Sequence, residues 1–146
     1  MKSEPRSRLD GGTIDDYVAG YVHEAIDDEI GVSLASIVSD GRRSFGLEGD
    51  DLVAYVRRGV AALAAIGARP EHWEMYSRPG HLDGPVHFGA DTPEEIVEGV
   101  LAEWIAEGMP DLGWGDYRFI TAEGRAYLDE VVESKRREAA ASDDHG

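Results

Sequence analysis

The chain has 146 residues, of which 30 are acidic and 14 are Lys or Arg, so its formal net charge is −16. This length predicts one compact domain, and the strong negative charge disfavours a nucleic-acid backbone as a partner of the molecule as a whole. The absence of cysteine excludes disulfides and a thiol nucleophile and favours a reducing, cytoplasmic environment. No apolar run approaches the ~18 residues of a membrane span, and the N-terminal residues lack the apolar core of a signal peptide.

The negative charge is concentrated in two segments. Residues 13–41 and 79–117 contain sixteen acidic residues and no Lys or Arg, whereas the rest of the chain has fourteen acidic and fourteen basic residues. A surface of one sign repels itself, so this arrangement indicates a requirement other than solubility.

Two helices are predicted before residue 42. Thr13 is a suitable N-cap for the first helix, which ends by Gly31. Ser33 is a suitable cap for a short second helix, which Gly41 ends. The apolar residues of the first helix recur at helical spacing: Ile14, Tyr17, Val18, Tyr21, Val22, Ala25 and Ile26.

A third helix is predicted from about residue 50 to residue 66, with Gly67 after its last turn. Its outer face is expected to carry Tyr55, Arg57 and Arg58. The expected buried stripe consists of Leu52, Val53, Val56, Val60, Leu63 and Ala64.

A short strand is predicted at residues 71–76, and a segment rich in Pro and Gly follows it. Thr92 and Pro93 then form the start of a fourth helix, because Thr caps well and Pro suits the first helical position. Gly108 ends this helix. Its expected buried stripe consists of Ile96, Val97, Val100, Leu101, Trp104 and Ile105.

A second strand is predicted at residues 117–120, and Thr121 is the expected cap of the last helix. Basic residues 135–137 are placed at the end of that helix, where the helix dipole favours positive charge. Residues 1–12 are expected to be a flexible lead, residues 13–138 one domain, and residues 139–146 a disordered tail. The residues expected to face inward from the last helix are Ala126, Tyr127, Leu128, Val131 and Val132.

The stretch 117–128 (YRFITAEGRAYL) resembles the final wing strand and the following helix of bacterial winged-helix domains. The resemblance implies a mostly helical α+β fold with a small antiparallel β-hairpin. Residues 33–67 would form the helix-turn-helix, and residues 50–66 would take the recognition-helix position. The helix at 92–108 departs from the family pattern, because it is inserted between the two wing strands.

The favoured functional hypothesis is a non-catalytic acidic module that binds a basic protein, such as a toxin or nuclease, as an immunity protein, an inhibitor or a nucleic-acid mimic. Like-charged residues four apart on a helix are mildly unfavourable, so their repetition indicates a basic partner. Tyr76 and Trp114 are candidate anchors within such an interface. The acidic set proposed for this surface comprises Asp15, Asp16, Glu24, Asp27, Asp28, Glu94, Glu95, Glu98, Glu103 and Glu107.

The alternative is a winged-helix DNA-binding regulator, since a recognition helix needs hydrogen-bond donors. The chain would act as a monomer or a homodimer. The candidate DNA-binding residues, called the basic cluster below, are Arg42, Arg43, Arg57 and Arg58, with Tyr55 nearby.

Other chemistry has little support in the sequence. His72, His81 and His87 lie close together in the chain, but their spacing matches no metal motif. No nucleophile elbow, phosphate-binding loop or dinucleotide fingerprint is present. We therefore expect no enzyme activity and no cofactor or metal.

Overall fold

The computed structural model describes residues 5–28, 31–72, 84–85, 92–112 and 117–143. Within them the chain forms five α-helices and four short strands, which confirms the mostly helical α+β class. The strand predicted at residues 71–76 is β2, Arg69–His72, and its last four predicted residues lie outside the described part. In chain order the elements are α1 Ile14–Asp27, β1 Val32–Ser33, α2 Leu34–Ser39, α3 Gly49–Ala65, β2 Arg69–His72, β3 Gly84–Pro85, α4 Pro93–Ala106, β4 Arg118–Ile120 and α5 Ala122–Asp143.

The predicted starts of α1, α2 and α4 are confirmed by hydrogen bonds. The Thr13 hydroxyl accepts from the N–H of Asp16, whose carboxylate accepts in turn from the N–H of Thr13, so α1 begins with a capping box. Ser33 caps α2 and Thr92 caps α4 in the same way, each accepting from a backbone N–H three residues on. These ends are local features, which is why the sequence predicts them well.

Gly41 does not end α2 as expected. A π-helical turn, Asp40–Ser44, continues the chain, and Gly41 lies buried inside it. A Cβ at this position would come within 2.7 Å of Leu52 Cδ1 and 2.9 Å of Tyr55 Cδ1. The glycine is therefore needed for close packing of the turn on α3 and not for a helix stop.

Helix α3 is the centre of the core. Its buried residues span about half of its circumference, since α1, α2 and α4 all pack on it. Trp104 of α4 and Phe119 of β4 are also almost fully buried. Ile26, Ile105 and Tyr127, which the periodicity placed inside, are 61%, 45% and 48% exposed, because each lies beyond the edge of its helix's buried stripe.

The sheet is antiparallel throughout, with the strand order β1-β4-β2-β3. Val32 of β1 and Pro70 of β2 both lie opposite Phe119, so β4 lies between β1 and β2 in the sheet. Helix α4 lies between β2 and β4 in the sequence and packs on α3.

Both chain ends differ from expectation where they are described. Ser7 is buried, its hydroxyl lies 2.7 Å from that of Tyr17, and the N–H of Arg8 donates to Ser44 O, so residues 5–12 are bonded to the domain. Helix α5 extends to Asp143 and includes the first five residues of the expected tail. Residues 135–137 therefore lie more than a turn before its end and are not at the helix terminus. Among the described residues, no helix has the length and apolarity needed to cross a bilayer.

Candidate functional site: an acidic surface around helix α3

The basic cluster does not form a free positive surface. Arg57 donates to Glu98 of α4, and Arg58, the next residue on α3, donates to Asp15 of α1. Arg42 donates to the Asp111 carboxylate and to Met109 O. Three of the four arginines are therefore neutralised by carboxylates that lie far away in the sequence.

These pairs lie at the surface, since the side chains of Arg57 and Arg58 remain 45% and 46% exposed. A pair of this kind contributes only ~0.2–1 kcal/mol. Its main effect is on the local field, because a phosphate that approached α3 would meet a carboxylate beside each arginine. Arg43 is exposed and has no ion pair within the described part of the chain.

Tyr55 was expected on the outer face of α3, and that expectation is wrong. The residue is 2% exposed, its ring packs 5.4 Å from that of Phe45, and its hydroxyl lies 2.6 Å from the hydroxyl of Tyr21. Burial raises the pKa of Tyr55 and Tyr21, so both phenols stay neutral. A buried phenol cannot contact DNA, and Tyr55 is a core residue.

The Tyr21 hydroxyl donates to Asp40 Oδ2 at 2.6 Å. Burial raises the pKa of Asp40, and the hydrogen bond from Tyr21 opposes that rise. This Tyr21–Asp40–Tyr55 network ties α1, the π-helical turn and α3 together. No sequence signal predicted it, since its three members are 15 to 34 residues apart.

Helix α4 displays its carboxylates along two edges. At about 100° per residue, Glu94 and Glu98 project ~40° apart, whereas Glu103 projects ~140° from Glu98. The buried stripe through Val100 and Trp104 lies between the two edges. One edge faces α3, where Glu98 binds Arg57, and the other carries Glu103 with Glu107 beyond it.

The acidic residues of α1 have different roles. Asp15 is paired with Arg58, and Asp16 belongs to the capping box, where the N–H of Thr13 lowers the pKa of that carboxyl. Glu24 and Asp27 are exposed, and His23 Nδ1 lies 4.0 Å from Asp27 Oδ2.

Asp28 is half-buried at the end of the helix, and Glu95 is half-buried in the first turn of α4. The other members of the acidic set are exposed. The acidic set therefore lies on the two helices that pack on α3, and Asp15 and Glu98 are its members that bind α3 directly. The candidate anchors Tyr76 and Trp114 lie outside the described residues.

A cleft of about 400 Å³ lies between α2, the π-helical turn and residues 111–112. Arg42 and Arg43 line it together with Asp40 and Asp111, so its charges balance and it indicates no particular ligand. In the part of the chain that the structure describes, no three potential metal-ligating residues lie together. His81 and His87 lie outside that part, as does the side chain of His72.

A second charged group is buried on the sheet. Glu71 of β2 lies opposite Arg118 of β4, and Arg125 of α5 donates to Glu71. Arg118 is 3% exposed and donates to Gly31 O at 2.8 Å, and burial lowers its pKa. Sequence reasoning missed this group, because a Glu in a short strand gives no sign that it is buried.

Comparison with family models, with curated proteins and with solved structures found no match for this chain.

Proposed function

We propose that the chain is a non-catalytic module that binds a basic protein through the acidic set. The fitting partner class is a protein with a cationic functional surface, such as a nuclease toxin or a nucleic-acid-binding protein. By covering that surface with carboxylates, the chain would act as an immunity protein, an inhibitor or a nucleic-acid mimic.

The observation that carries the proposal is that three of the four arginines of the basic cluster are paired with carboxylates. Arg57 and Arg58 project from α3, the helix that would contact DNA in a DNA-binding protein of this kind. Each is hydrogen-bonded to a member of the acidic set. Asp50 and Asp51 add negative charge at the N-terminal end of the same helix. The field around α3 therefore favours a cationic partner over a phosphate backbone.

The carboxylates that remain outside these pairs support a steering role. Glu94, Glu103 and Glu107 are exposed, and no ion pair is seen for them among the described residues. Exposed charges of one sign speed association and select the partner, while adding little affinity individually. Ile105 is 45% exposed on the same helix and, at about 100° per residue, lies on the edge of Glu98 and not on that of Glu103.

A DNA-binding regulator is the second candidate, and the strand order favours it. Strand β1 lies between α1 and α2 in the sequence and pairs with β4, which also pairs with β2. This order supports a winged-helix arrangement with β3 and α4 inserted. Fold alone does not determine function, and Glu98 of α4 accepts from Arg57 of α3, the helix that would be the recognition helix.

The first experiment measures the binding of a mixed-sequence DNA duplex by fluorescence anisotropy over a range of salt concentrations. The proposal predicts no specific affinity for the wild type. A steeply salt-dependent affinity that is lost in Arg57→Ala/Arg58→Ala would overturn the proposal in favour of the regulator.

The second experiment tests the acidic set with the protein encoded beside this chain's gene as the partner. Glu94→Lys/Glu103→Lys should weaken a complex with a basic protein, and added salt should weaken it further. The control is Glu123→Lys/Glu133→Lys, which changes the net charge equally on α5, with loss of the exposed Glu133–Arg137 pair, and should leave the complex intact. Equal loss in both variants would show an effect of net charge and not of this surface.

A further inference from the structure

Helix α5 has 22 residues, but only its first two turns are fixed to the domain. Gly124 and Leu128 are buried, and Arg125 binds Glu71. From residue 129 to residue 141, every residue whose exposure is described is exposed except Val131, which is half-buried. A polar helix that projects in this way needs stabilisation from its own ion pairs or from a partner.

One stripe of α5 forms a shallow groove of about 290 Å³. The described residues that line it all belong to α5, and they recur at intervals of three and four, so they lie on one face. They are Tyr127, Glu130, Val131, Ser134, Lys135 and Glu138. The stripe is apolar at its start and charged beyond it.

We propose that this stripe binds the same stripe of a second copy of the chain, with the two helices antiparallel. In an antiparallel pair with a two-fold axis between residues 132 and 133, Glu130 of one copy lies opposite Lys135 of the other. In the same register Val131 lies opposite Ser134, and Tyr127 lies opposite Glu138.

The charge pattern selects this occupant and this register. Each stripe presents its glutamates to a lysine or to a tyrosine hydroxyl, which can donate to a carboxylate. A two-fold axis makes every contact twice, so one residue change alters two contacts. Helix α5 holds four basic and six acidic residues, but residues 134–138 hold three basic residues and one acidic residue, so this part of the helix lacks the excess of negative charge found in the acidic set.

The test is the association constant of the full chain, measured by sedimentation velocity over a range of concentrations. The wild type should form a dimer. Lys135→Glu should raise the dimer dissociation constant by at least about fivefold, because two attractive contacts become two repulsive ones. Arg136→Glu is the matched control, since it makes the same charge change on the opposite face and should have little effect.

The reciprocal variant separates this contact from net charge. Glu130→Lys makes the chain less negative, which favours association in general, yet it should weaken the dimer by placing two lysines together. Glu130→Lys/Lys135→Glu should restore it, because the opposite charges are exchanged. Circular dichroism of each variant verifies that α5 still forms.

A wild type that stays monomeric at all concentrations overturns the proposal. So does a dimer that Lys135→Glu and Arg136→Glu weaken equally, or one that the double exchange fails to restore.

Discussion

Glu71 allows the contribution of a buried carboxylate to be compared directly with that of an exposed one. Arg125 of α5 donates to Glu71, which is 1% exposed, and also to Asp129 Oδ1 at 3.1 Å, whose side chain is 68% exposed. Glu71→Gln and Asp129→Asn therefore make the same chemical change against the same arginine; they differ in burial and in that Glu71 also lies opposite the buried Arg118.

The expected effects follow from that difference. Removing one charge of a buried pair costs ~3–5 kcal/mol, and a hydrogen bond to a charged group contributes ~1.5–3 kcal/mol. Gln keeps the shape and one acceptor oxygen, so we expect Glu71→Gln to lower the free energy of unfolding by about 2–4 kcal/mol. An exposed pair contributes about 0–1 kcal/mol, so Asp129→Asn should cost less than about 1 kcal/mol.

Urea unfolding followed by far-UV circular dichroism measures both variants. A typical domain has a total stability of ~5–15 kcal/mol, so Glu71→Gln should still fold and should shift the midpoint at an unchanged slope. Equal losses for the two variants, or no loss for Glu71→Gln, would refute the view that this buried pair fixes α5 to the sheet.

Three further predictions concern the core and the caps. Gly41→Ala should lower the free energy of unfolding by about 1–3 kcal/mol, because its Cβ would overlap Leu52 at 2.7 Å; a neutral result in thermal unfolding would show that the turn can shift. Thr13→Ala should cost about 1 kcal/mol through loss of the α1 cap, whereas Thr13→Ser should retain most of the stability, and equal urea midpoints for the two would contradict the cap. Burial raises the pKa of Asp40, so the folded state favours the protonated carboxyl. The resulting stabilisation is complete below the pKa of Asp40 in the unfolded chain and is lost as the pH rises through the higher pKa of the folded state. Asp40→Asn should therefore gain stability relative to the wild type as the pH rises from about 4 towards neutral, with Tyr21 still donating to the amide oxygen; a stability difference that does not change with pH would contradict this.

The helices could be predicted from the sequence because their signals are local. Thr13, Ser33 and Thr92 all cap helices as expected, since a cap depends on residues three positions apart. The mostly helical α+β class, which the resemblance of residues 117–128 implied, is confirmed.

The exposure of individual side chains was predicted less well. Tyr55 and Arg57 are close neighbours on α3, yet one is buried and the other is half exposed, because α3 packs against several elements at once. Periodicity identifies a buried stripe but not its width, which explains why Tyr55 was placed outside and Ile105 inside.

The concentration of negative charge and the positions of the helices can be read from the amino-acid sequence, since both depend on composition and on short-range spacing. The groups that this charge contacts depend on how the helices pack. Arg57 and Glu98 are 41 residues apart, and Arg58 and Asp15 are 43 apart, so these pairs form only when α1 and α4 pack on either side of α3. The packing of three helices, which no local pattern encodes, changes a candidate basic surface into a neutralised one surrounded by carboxylates.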